Sequence, residues 1–307
     1  MRKTLLVAVP AALALMVAAA CSDSTTSPAS DQSDVIASLS DQYGAMMDTD
    51  FGVAGGVATD AAAPLATGHL FAVEQADSAM LPVFWGRLRI VPGGPRPILN
   101  RTVTVQGDTA RVTQTVSFQG LFLVDTARDT LFDPSSKPLA EGMTQSAVLV
   151  RDAAQRHHWR AVALTLQNWL PTAAAARTVA INEITVQVNG VTTITADDPD
   201  SLYTVSGLLH LHVGDSVTVT AAVTNAADTA YAPNTFVFLH LHHAFVDALW
   251  HRVPMKDNGD GTYSRSWIVR RGGIDRFVID AIDAATLDRG TLDNYAANEW
   301  GVPYRID

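Results

Sequence analysis

The sequence predicts a mainly β protein, with an N-terminal α+β domain of one or two helices plus an antiparallel sheet, followed by a β-sandwich. Three observations predict it. Helical periodicity is confined to the chain before residue 81, where Val35, Ile36, Leu39, Tyr43 and Met46 recur every three or four positions. From Leu81 onward, short runs alternate apolar with polar side chains, the two-residue period of half-buried strands. Turn formers separate those runs, among them Val91-Pro92-Gly93-Gly94-Pro95, Asn189-Gly190 and Asn258-Gly259. The chain has 307 residues, enough for two domains, and at 48% hydrophobic it can bury cores rather than stay disordered.

Taken in order, the chain opens with Arg2 and Lys3, then an uncharged run from Leu5 to Ala20 that ends in Ala18-Ala19-Ala20 before the lone cysteine, Cys21. Charged start, apolar run and small residues are the layout of a secretory signal. The run spans 16 residues, short of the roughly 20 that a membrane-crossing helix needs. Small residues ending at a cysteine resemble the lipobox of bacterial lipoproteins, with Ala18 where that family usually has leucine. The resemblance implies cleavage of residues 1–20, acylation of Cys21 and membrane anchorage in the cell envelope. Ser22 after the cysteine, in place of aspartate, resembles the outer-membrane delivery pattern of that family.

Residues 21–34, rich in serine, threonine and aspartate, read as a flexible tether. Ser33 or Asp34 is placed to cap a helix of about three turns, weakened by Gly44. A second short helix is expected around His69 to Met80. Strands then fit Leu81–Ile90, a hairpin of Thr102–Val105 with Ala110–Phe118 across Gly107-Asp108, Leu121–Val124, Gln145–Arg151 and Trp159–Leu166. These complete a domain at 35–170. The segment 171–177, Pro-Thr and an alanine run, reads as a linker.

Residues 178–307 read almost entirely as short strands: around Ile184–Val188, Leu209–Val213, Val217–Val223, Thr235–His242, Tyr263–Val269, Arg276–Ile282 and Trp300–Ile306. Even spacing of this kind is the signature of a sandwich. Gly214-Asp215-Ser216-Val217-Thr218-Val219-Thr220 resembles the second-strand entry of bacterial immunoglobulin-like domains. Met255-Lys256-Asp257-Asn258-Gly259-Asp260-Gly261-Thr262-Tyr263-Ser264 resembles the hairpin of filamin-type immunoglobulin repeats. The resemblance covers about the last hundred residues. It implies an immunoglobulin-like sandwich, a fold used more as a spacer or binding module than as an enzyme. On such a hairpin Trp267 shares a strand face with Tyr263.

Composition excludes several functions. Cleavage of residues 1–20 leaves 19 basic side chains against 31 acidic ones, a net of −12, which argues against nucleic acid as a partner. With Cys21 acylated, no thiol remains for a disulfide, a thiolate metal site or a nucleophile. The sequence contains no Gly-x-Ser-x-Gly elbow, no His-Glu-x-x-His and no phosphate-binding Gly-x-x-x-x-Gly-Lys. No catalytic activity and no cofactor are expected.

Histidine supplies the most tempting chemistry. His210 and His212 share one strand face, and His240 and His242 another; each pair sets its imidazoles about 7 Å apart. Two such pairs on adjacent strands would suit zinc or copper. In an immunoglobulin topology the two strands belong to different sheets, so the histidines also read as a solvated or interface-facing stripe. Asp275, Asp280, Asp283, Asp288 and Asp293 read as a solvated acidic face. Trp250, between Leu249 and His251 in a connecting region, is the candidate exposed aromatic of a binding surface.

The reading is a non-catalytic envelope lipoprotein, anchored at Cys21 and presenting a binding surface to an envelope protein or glycan. Two alternatives stand beside it. One is histidine-dependent metal binding. The other is small-ligand binding by residues 35–170, whose element order resembles a cystatin- or NTF2-like cone.

Overall fold

The computed structural model describes residues 29–47, 84–89, 94, 96–127, 133–227, 231–241, 251–270, 272–290 and 295–307. The protein is mainly β, with its one described helix ahead of the sheets. Cys21, the expected helix at 69–80, His242 and Trp250 lie outside the described residues.

Helix α1 (Ala29–Met47) starts earlier than the cap at Ser33 or Asp34 suggested and runs for 19 residues. Asp31 in its first turn complements the helix dipole. Near Gly44 the helix kinks, at Tyr43 (φ −139°, ψ 26°). Val35 and Leu39, four residues apart, bury against a cluster containing Ala110, Val112, Leu149 and Trp159. Ser38 Oγ and Gln42 Nε2 both donate to the carbonyl of Trp159, at 2.7 Å each, which fixes the helix on that strand's outer edge.

The strands that follow are β1 (Phe84–Leu88), β2 (Ile98–Gln106), β3 (Thr109–Asp125), β4 (Ser135–Arg151), β5 (Trp159–Leu164) and β6 (Gln167–Pro171). Two differ from expectation in length: β3 absorbs Leu121–Val124, and β3 and β4 each run for 17 residues, paired antiparallel from Thr109↔Val150 to Val124↔Ser135. After a 3-10 turn at Ala174–Ala176 come β7 (Val179–Val188), β8 (Val191–Ala196), β9 (Tyr203–Thr204), β10 (Leu209–Leu211), β11 (Ser216–Asn225), β12 (Thr235–Leu241), β13 (His251–Pro254), β14 (Lys256–Asp257), β15 (Thr262–Ile268), β16 (Gly273–Asp283) and β17 (Ala297–Ile306). Asn189 and Gly190 both take positive φ (51° and 81°), the backbone of a tight two-residue hairpin, and so bring in the additional strand β8.

The smaller sheet runs β14-β15-β11-β7-β8. It packs on one face of β12, β16 and β17, in a core containing Ile184, Val186, Val217, Val219, Trp267, Leu239, Phe277, Ile279 and Trp300. With β14-β15-β11-β7 on one side and β13-β12-β16-β17 on the other, the two layers form an antiparallel β-sandwich. Tyr263 and Trp267 share the buried face of β15, as the hairpin resemblance implied.

The larger sheet extends beyond the sandwich. Its path is β1-β3-β4-β6-β17-β16-β12-β13, with β2 also on β3, β5 on β4, β9 on β5 and β10 parallel to β17. The path curls until its end strands meet: Arg252 Nη2 of β13 donates to the carbonyl of Trp85 in β1, 2.9 Å away. β12, β16 and β17 therefore serve two cores. On β16, Phe277, Ile279 and Ala281 face the sandwich, while Val278 and Ile282 face the interior of the curl. Strands buried on both faces read as near-continuous apolar runs, as Phe277-Val278-Ile279 and its continuation do.

Candidate functional site

The interior of the curl holds a charged network. β1 alternates so that Trp85, Arg87 and, just past its end, Arg89 point inward and are buried. β4 sends in Lys137 and Glu141 on the same face as Leu139 and Met143. Asp280 on β16 and Glu299 on β17 are direct register partners, so two carboxylates stand side by side. Phe238 of β12 pairs with Asp280, which puts His240, two residues on, at the same interior.

Arg87 grips Asp280 bidentately, Nη1 to Oδ2 at 2.7 Å and Nη2 to Oδ1 at 2.8 Å, and its Nε donates to the hydroxyl of Tyr295 at 2.8 Å. That hydroxyl donates to Glu141 Oε2 at 2.7 Å. Arg89 donates from Nε to Glu141 Oε1 and from Nη2 to Glu299 Oε1, the latter at 3.0 Å. His240 Nε2 lies 3.1 Å from Asp280 Oδ2. Aromatic rings line the guanidiniums: Arg89 sits 4.6 Å from the centroid of Trp169, and Arg87 within 6 Å of Trp85, Phe122 and Tyr295. The side chains of Arg87 and Asp280 are both 0% exposed.

Burial opposes the charge on Asp280, but the Arg87 guanidinium and the hydrogen bonds from His240 and Arg87 win and hold its carboxyl down to about 2. Glu299 behaves in the opposite way. Burial, reinforced by the carboxylates of Asp280 and Glu141, pushes it up to about 7 against the pull of Arg87 and Arg89. Burial likewise raises the Tyr295 hydroxyl, which stays a neutral donor. Lys137, whose ammonium donates to the carbonyl of Ala285 at 2.8 Å, is lowered by burial to about 8, with Asp288 and Asp283 pulling the other way.

Asp280 and Asp283 are thus not part of a solvated face: both are buried, Asp280 because the curl covers the side of β16 that a lone sandwich would leave wet, and Asp283 on the side of β16 that meets β11. Asp283 accepts from Ala285 N and from Asn225 Nδ2, each at 2.8 Å.

Among the described residues, His210 and His212 are not brought together with His240. β10 and β12 belong to the same larger sheet rather than to different ones. His240 is buried on Asp280, while the side chains of His210 and His212 are 45% and 72% exposed, beside Asp307 and Asp215 respectively. His210 pairs with Arg305, and His240 with Val278, which pairs with Gly301. Four residues of β17 and three strand spacings separate the two, about 13 Å along the strand and about 14 Å across. Among the described residues no group of three or more His, Cys, Asp or Glu is arranged to hold a metal ion.

Side chains of residues 35–170 pack at both ends of the inward face of β3. Val35, Leu39 and Met47 of α1 fill one end, and Trp85, Phe122 and the ionic network fill the other. Sequence reasoning missed the network, although one signal was present: Asp280 interrupts the run Phe277–Ile282, where an unpaired carboxylate would be costly. Its partners are 193 and 40 positions away, which no local pattern reveals. Compared with known proteins, the chain matches no family model, no curated protein and no solved structure.

Proposed function

We propose that this chain is a non-catalytic lipoprotein of the cell envelope, anchored at the outer membrane through Cys21 and presenting its immunoglobulin-like sandwich to an envelope protein or glycan. The observation that supports the non-catalytic part is the closure of the ionic site. Arg87, Arg89, Glu141, Asp280, Glu299 and His240 bond to one another while buried to 2% exposure or less. General acid–base catalysis needs a group within hydrogen-bond reach of a substrate proton, and these buried groups are engaged with one another. The missing hydrolase and phosphate motifs agree with that reading.

The anchor rests on the sequence of Met1–Cys21. Helix α1 starts at Ala29, so the seven residues 22–28 separate the lipidation site from the first helix, a reach of at most about 25 Å. Such a short tether holds the folded body close to the bilayer, and the acidic chain depends on lipid rather than on charge to stay there.

The test compares the wild-type chain with Cys21→Ser. The wild type is expected to incorporate labelled fatty acid and sediment with outer membranes, and the variant to lose both. Equal fractionation of the two overturns the anchor. Affinity capture of the lipidated protein from its own envelope is expected to return one recurrent protein or glycan. Turnover of a substrate by the purified chain, abolished by Asp280→Asn without unfolding, would overturn the non-catalytic reading.

A further inference from the structure

We propose that the interior network is a proton-binding site that ties the docking of β1 to pH: one proton carried by Glu299 keeps β1 seated, and its loss loosens that strand. The inference is independent of the membrane anchor and of any partner.

The geometry singles out Glu299. Two guanidiniums, Arg87 and Arg89, face three carboxylates, Glu141, Asp280 and Glu299. Asp280 holds Arg87 bidentately and has His240 as well. Glu141 holds Arg89 through one oxygen and the Tyr295 hydroxyl through the other. Glu299 only shares: its Oε1 lies 3.2 Å from Arg87 Nε and 3.0 Å from Arg89 Nη2, and both cations already serve another carboxylate. It also stands opposite Asp280 in the β16–β17 ladder, where like charges repel.

The groups facing Glu299 come from each element around it: Arg87 and Arg89 from β1 and its end, Glu141 from β4, Asp280 from β16 and Tyr295 from the approach to β17. His240 on β12 joins through Asp280, and Arg276 lies four residues from Asp280 on β16. Two guanidiniums are shared among three carboxylates in an interior shielded from water, where an ionised group without a cation of its own is costly to hold. A proton on Glu299 removes that cost.

β1 is the element that yields. It is five residues long, among the described residues its backbone ladder runs to β3, and Arg252 contacts Trp85 from the other side. β4, β16 and β17 are longer and paired on both sides. Local opening selects the element with the least support. Opening β1 withdraws both arginines and admits water to Glu299, whose carboxyl then returns toward its ordinary value of 4.5. Since the closed form binds the proton more tightly, the open fraction rises with pH between 4.5 and about 7 and levels off above.

Hydrogen exchange on the full chain, corrected for intrinsic rates, tests this. Protection of the amides at 84–89 is expected to fall tenfold or more between about pH 5 and about pH 7.5, while β11 amides hold constant; Glu299→Gln is expected to abolish the fall. Protection of β1 that ignores pH in the wild type, or an equal fall in the variant, overturns the proposal. Should Glu299→Gln fail to fold, side-chain carboxyl NMR of the wild type decides. One glutamate titrating near neutrality supports the site, and all glutamates titrating near their ordinary value of 4.5 overturn it.

Discussion

Asp280 lies at the centre of the buried ionic network. It receives two hydrogen bonds from Arg87 and contacts His240 while fully buried. Removing one partner of a buried ion pair strands the other, at a cost of about 3–5 kcal/mol. Asp280→Asn is therefore expected to lower unfolding stability by that order in urea titrations. The native carboxyl is held at about 2 against an ordinary 3.8. A lowered value means that the unfolded chain binds the proton more tightly, so the contribution of Asp280 is complete above pH 3.8 and drains away as pH falls toward 2. A thermal-melt series across that window is expected to show the wild type losing stability with acid more steeply than Asp280→Asn. Little of this was visible residue by residue, because an aspartate that interrupts an apolar run signals a buried charge without naming a partner 193 positions away.

At the scale of elements, local chemistry was more legible. The β2–β3 hairpin formed at its expected turn, where Gly107 takes φ 58°, and the β14–β15 hairpin formed where Gly259 and Gly261 both take φ 82°. What the sequence did not show is where β1 crosses β3. That crossing requires Gly120: a Cβ there would stand 2.0 Å from the Leu88 carbonyl oxygen, a backbone atom that cannot step aside. Gly120→Val is expected to destabilise the protein by more than about 3 kcal/mol, or to expel β1 and expose Trp85. Denaturant unfolding with tryptophan fluorescence distinguishes the two outcomes from an unaffected fold. The requirement was not legible because a glycine inside an apolar strand reads as a bulge or a close approach without naming the neighbour.

For the whole molecule, the decisive feature is that β12, β16 and β17 belong to two cores. Residues 178–307 contain the sandwich, yet in isolation they would expose Phe238, His240, Val278, Asp280, Ile282 and Glu299, all buried in the full chain. The excised segment is expected to aggregate or to lack near-UV circular dichroism. The full chain, sharing strands across its length, is expected to unfold in one transition by calorimetry and fluorescence alike. A soluble, well-dispersed NMR spectrum from 178–307 alone would refute this.

The sequence by itself determined the class of the protein: strand periods, turn residues and the helix ahead of them are local, set by a few neighbouring side chains and by backbone sterics. It also carries the case for Cys21, a linear signal that needs no fold to be read. Only the tertiary structure decided which strand faces are wet. The curl of the larger sheet brings β1 across to β12, β16 and β17, so that arginines near residue 88 meet carboxylates near residues 280 and 299. Such contacts depend on how the sheet closes on itself, and closure is a property of the whole chain that no local window contains.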